Sequence, residues 1–78
     1  MLATGVTAAQ EACKRVLSLA LAAVEKSARN GERLAVHIEA IRLLDHNPDC
    51  PMAWEDLRDH IVELAMARGV VVQLGDGP

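Results

Sequence analysis

Aromatic side chains are nearly absent from this sequence, which has no phenylalanine, no tyrosine and a single tryptophan, Trp54. A core must therefore be assembled from the alanine, valine, leucine and isoleucine that supply almost all of its apolar content. Cysteine is scarce as well. Cys13 and Cys50 permit at most one internal bridge, and no secretory segment argues for an oxidising compartment, so a disulfide-built scaffold is excluded. Long apolar runs are also missing. The longest candidate, Val16–Val24, follows Lys14-Arg15 in the manner of a targeting segment, but its nine residues cannot span a bilayer and Glu25-Lys26 ends it at once. It reads as part of a core helix. A cytoplasmic protein without a membrane partner is expected.

A basic surplus is the fourth absence. Eight lysines and arginines face eleven aspartates and glutamates, a net charge of −3, whereas phosphate neutralisation dominates nucleic-acid affinity and calls for the opposite balance. Nucleic acid is therefore disfavoured as a partner. The charge is polarised along the chain: residues 8–29 hold four basic and two acidic groups, and residues 47–68 hold two and five.

What is present is enough for one small domain. In a chain of 78 residues, burial returns about 25 cal/mol per Å² and ordering costs roughly 1.5 kcal/mol per residue, so the core barely offsets the entropy. Small domains lean on disulfides, a metal or oligomerisation. With the first two poorly supported, what remains is an unusually well-packed helical core or self-association, and a homodimer is the expectation favoured.

Thr7-Ala-Ala-Gln10 matches a capping box, and Asn30-Gly31 supplies a left-handed stop, which predicts a helix from about residue 8 to Arg29. Cys13, Val16, Leu17, Ala20, Val24 and Ala28 share its apolar stripe. A second helix is expected over Glu32–Asp45, ending ahead of Pro48. It has two apolar stripes: Leu34, Ile38, Ile41 and Leu44 on one side, and Val36, Ala40 and Leu43 opposite. Only one can be covered cheaply in a three-helix protein, so Val36, Ala40 and Leu43 are expected at a subunit or partner interface. After the rigid Asn47–Pro51 loop, Pro51 opens a third helix in which Trp54, Leu57, Ile61, Leu64, Ala65 and the stem of Arg68 share a face, with Gly69 as its stop. Val70–Leu74 is β-branched and reads as a strand without an evident partner. It is expected to pair with the Leu2–Val6 segment, with its symmetry mate, or with a partner strand, through Val70, Val72 and Leu74.

The fold class that follows is mostly α: a helical hairpin plus a third helix and a short C-terminal β-strand, with pairing across a dimer as one way to complete it. Residues 7–74 form the domain, flanked by flexible termini at 1–6 and 75–78.

Candidate chemistry is thin. His37, His46 and His60 with the two cysteines show neither Cys-x-x-Cys nor His-Glu-x-x-His spacing, so no metal site is expected. Cys50 with His46 is the only local pair that could serve nucleophilic catalysis, and there is no glycine-rich phosphate cradle. Neither an enzyme nor a cofactor-binding protein is expected. Asp56, Asp59 and Glu63 make an acidic patch on the third helix, either a solvated face or a dock for a basic protein. The order helix, proline-containing loop, helix, glycine and strand resembles half of a winged helix in topology alone, and what the resemblance implies is a compact DNA-binding regulator. Against it, Ala53–His60 carries three acids and one base where a recognition helix needs Arg, Lys, Asn or Gln. The expected function is a non-catalytic protein-interaction or regulatory module acting as a homodimer.

Overall fold

The structure, a computed structural model, describes residues 7–73. The expectations for the two termini, the Leu2–Val6 segment and Leu74 lie outside the described residues. Within them the chain is mostly helical: α1 (Ala8–Asn30), β1 (Leu34–Ala35), α2 (Val36–His46), α3 (Trp54–Ala67) and β2 (Val72–Gln73).

Helix α1 begins where the capping box requires. The Gln10 N–H donates to Thr7 Oγ1 at 3.1 Å and the Thr7 N–H donates to Gln10 Oε1 at 2.9 Å, satisfying two donors that helix geometry leaves orphaned. Glu11 in the first turn and Arg29 in the last both suit the helix dipole. The stop is Gly31 at φ 65°, where any residue with a Cβ is strained, and the Gly31 and Glu32 N–H groups both close on the Ser27 carbonyl.

The first departure from the sequence reading comes next. Leu34 and Ala35 are not helical but form β1, which pairs in parallel with β2 in the register Leu34↔Val72 and Ala35↔Gln73. The Leu34 N–H donates to the Val71 carbonyl at 2.9 Å. This corrects the expected partner of the C-terminal strand: Val72 is paired within its own chain, by a segment read from its period as the first turn of a helix. Local helix propensity is worth only tenths of a kcal/mol per residue. Leaving the polar backbone of Val70–Val72 unpaired costs more, so the pairing wins. Parallel strands need a long crossover, and here α2 and α3 together supply it.

Helix α2 packs most extensively on α3, and α1 lies against both. The shared core holds Ala12, Val16, Ala20 and Val24 from α1, Val36, Ala40 and Leu43 from α2, Leu57, Ile61 and Ala65 from α3, together with Leu34 and Cys50. Four fully buried alanines (12, 20, 40 and 65) let the helices approach closely in the absence of large aromatics. Among the described residues no buried side-chain nitrogen or oxygen lacks a partner.

The second correction concerns α2. Val36, Ala40 and Leu43, expected at a subunit or partner interface, are buried in the chain's own core. Of the other stripe the middle is uncovered, with Ile38 63% and Ile41 38% exposed, while Leu34 is buried and Leu44 packs against the core. Both stripes are apolar, so periodicity alone left the rotation of the helix undecided. Its two ends decide it. Buried Leu34 in β1 leads directly into Val36, and at the far end Asn47 is 92% buried, donating from Nδ2 to the Leu43 carbonyl at 2.9 Å. These anchors turn the 36–40–43–47 line inward. A smaller rotation affects α1, where Ala12 and Ser27 are buried while Leu17 and Ala28 are exposed.

Helix α3 starts at Trp54, three residues after Pro51, with Ala53 as an N-cap that has no side-chain bond. Trp54 is half-buried: His37 meets its ring edge-to-face at 4.9 Å, and the Arg58 guanidinium lies 5.1 Å from the ring centre. Gly69 at φ 69° ends the helical segment, and the Val70 N–H closes on the Ala65 carbonyl at 2.9 Å.

Candidate interaction surface

Because the inner line of α2 is consumed by the core, its outer line is left to solvent. Ile38, Ile41 and Asp45 stand on that outer line, with Arg42 beside them and ion-paired to Glu39. The face thus presents two large apolar side chains and one charge of each sign.

Beside Arg42, α1 and α2 diverge to leave a groove of about 600 Å³. Its apolar wall includes Leu19 (44% exposed), Ala22 and Ala23 from α1, and Leu34 and Leu43 below. Lys26, Arg33, Arg42 and His46 rim it against Glu32 and Glu39. A smaller groove of about 330 Å³ lies where the end of α1 meets the end of α3, next to the Glu25–Arg68 pair at 2.7 Å and the exposed Val71.

The remaining sequence candidates are distributed as follows. Asp56, Asp59 and Glu63 are all exposed on α3, with Met66 one turn beyond and 72% exposed. Arg58 pairs with Asp59 at 3.1 Å, which leaves Asp56 and Glu63 as the uncompensated part of the patch. Val70 and Val72 are half-buried, Val72 being held by β1. The His46–Cys50 pair is not assembled: His46 Nδ1 bonds back to the Arg42 carbonyl at 2.8 Å, and the Cys50 sulfur lies against Cys13, 2.6 Å away. Among the described residues no three His, Cys, Asp or Glu side chains converge as metal ligands, and no helix is long and apolar enough to cross a membrane.

Two features escaped the sequence reading. The pairing of Cys13 with Cys50 joins positions 37 residues apart, which no local pattern encodes. The exposure of Ile38 and Ile41 had a signal, the doubly apolar helix, but that signal named a surplus face without saying which. Comparison of the chain with known protein families, with characterised proteins and with solved structures finds no match.

Proposed function

We propose that this protein is a non-catalytic interaction module that self-associates as a homodimer through the outer face of α2. The carrying observation is the exposure of Ile38 and Ile41 on a helix whose other apolar line is already buried. Fully burying an isoleucine is worth about 1.5–3 kcal/mol, so covering both on each of two copies recovers several kcal/mol. That competes with the lower end of the roughly 4–15 kcal/mol that association costs, so Leu19 in the adjoining groove has to contribute to a stable pair.

Charge favours this face over α3 for a second copy. With Arg42 paired to Glu39, the α2 face keeps the single charge of Asp45, whereas Asp56 and Glu63 on α3, which the Arg58–Asp59 pair leaves uncompensated, would meet their own like charges in a symmetric contact. The acidic face of α3 stays open to a basic partner protein, and a cytoplasmic setting belongs to the same reading. The DNA-binding alternative has less support, because its would-be recognition helix presents those acids outward.

Light scattering and sedimentation equilibrium test the proposal. The wild-type chain should reach dimer mass at tens to hundreds of micromolar, and Ile38→Lys with Ile41→Lys should hold it monomeric with unchanged helical circular dichroism. A wild-type protein that stays monomeric at high micromolar concentration, or a double variant that dimerises as well as wild type, refutes this reading.

A further inference from the structure

We propose that Cys13 and Cys50 form a redox-active dithiol, which a low-molecular-weight disulfide converts to an intramolecular bridge between α1 and the α2–α3 loop. The two sulfurs lie 2.6 Å apart, and both are free thiols.

Their placement is built by the fold. Cys50 is buried in a loop whose backbone is held on several sides: its N–H donates to the Asn47 carbonyl at 3.0 Å, and Pro48 and Pro51 restrict the chain around it. Asn47 in turn ties the loop to both neighbours, donating to the Leu43 carbonyl of α2 and accepting from Arg15 Nε of α1 at 3.5 Å. Through the second of these bonds the loop that carries Cys50 is tied to α1, the helix that carries Cys13. Cys13 is half-buried and reachable from solvent, while Cys50 is buried behind it. The exposed thiol is therefore the attacking one and the buried thiol the resolving one.

The step balances as thiol–disulfide exchange. The Cys13 thiol gives up its proton, and the thiolate attacks one sulfur of oxidised glutathione, breaking that S–S bond and releasing one glutathione thiolate. The Cys50 thiolate then attacks the Cys13 sulfur of the mixed disulfide, forming the Cys13–Cys50 bond and expelling the second glutathione. Two electrons pass from the protein to the reagent, and the two cysteine protons end on the two glutathione thiols. Reduced glutathione reverses both exchanges. The Cys13 thiol is held above its ordinary pKa, chiefly by its hydrogen bond with Cys50 and then by desolvation. The first attack is accordingly slow at neutral pH and accelerates in alkali.

The test uses the full chain, reduced and at low micromolar concentration so that self-association plays no part. It is incubated with excess oxidised glutathione, quenched with acid, alkylated in denaturant and read by mass. The expected product has no free thiol, no retained glutathione and one linked tryptic pair, Met1–Lys14 with Leu43–Arg58. Its thermal midpoint should lie about 10 °C or more above that of the reduced chain, because closing a loop of this length restricts the unfolded state. Cys50→Ser should stop at a glutathione adduct on Cys13, and Cys13→Ser should react several-fold more slowly than Cys50→Ser because its remaining thiol is buried. Two free thiols after prolonged exposure would overturn the proposal. So would an equal yield of bridge from the urea-unfolded chain, since the fold would then contribute nothing.

Discussion

The two faces of α2 have nearly the same composition and opposite fates. Val36, Ala40 and Leu43 are buried among α1 and α3, whereas Ile38 and Ile41, no less apolar, stand in solvent. Side-chain hydrophobicity did not choose between them. The choice came from what holds the helix ends, β1 pairing ahead of Val36 and Asn47 docking behind Leu43, together with Ala40, whose small side chain permits close approach. A face becomes core because the backbone is delivered to it. The rejected face is left as surplus apolar surface, and the proposed self-association rests on it.

That contrast can be broken most forcefully from the inside. Leu43→Ala should cost about 2–4 kcal/mol, through lost transfer energy and the cavity left among packed neighbours, read as a fall in the urea midpoint at unchanged slope. Asn47→Ala should cost about 1–2 kcal/mol through the loss of its bonds to Leu43 and Arg15. It should also speed hydrogen exchange at the C-terminal turn of α2, because it releases one of the two anchors. On the outer face, Ile41→Ala should cost the monomer about 1 kcal/mol or less, because the side chain is only partly buried there, while weakening self-association. Equal costs for Leu43→Ala and Ile41→Ala would mean that the helix has no preferred rotation. The smallest effect concerns pH. The folded state holds the Cys13 proton more tightly than the unfolded state does, so the reduced protein has the full benefit below about pH 9 and loses it as pH rises through the raised pKa. Urea midpoints of the reduced chain should therefore decline in alkali, and Cys50→Ala, which removes the largest cause of the shift, should flatten that decline.

How much could be read in advance differs between the helices for a physical reason. The start and end of α1 are written locally, since Thr7 and Gln10 satisfy each other's orphan donors and Gly31 takes a left-handed angle that costs it nothing. The inward line of α3, Leu57–Ile61–Ala65, was legible because the opposite side is charged and only one rotation buries no ion. The sheet was half legible: Val70–Leu74 reads as a strand, of which Val72–Gln73 is paired, but its partner, Leu34–Ala35, sits in a sequence that fits a helix equally well. The candidate surface was legible as a surplus and misplaced by half a turn.

The sequence by itself determined what depends on neighbours within about four residues: three helices, the capping box of α1, the glycine stops of α1 and α3, the strand character of the C-terminal segment and the polarity of charge. Tertiary structure alone decided what depends on distant groups meeting. It turned α2 so that Ile38 and Ile41 face outward, gave β2 a parallel partner across a two-helix crossover, and placed the Cys13 and Cys50 sulfurs in contact. Each of those outcomes rests on closing a loop of more than thirty residues. The energy that closes such a loop belongs to the packed whole, so no window of sequence contains it.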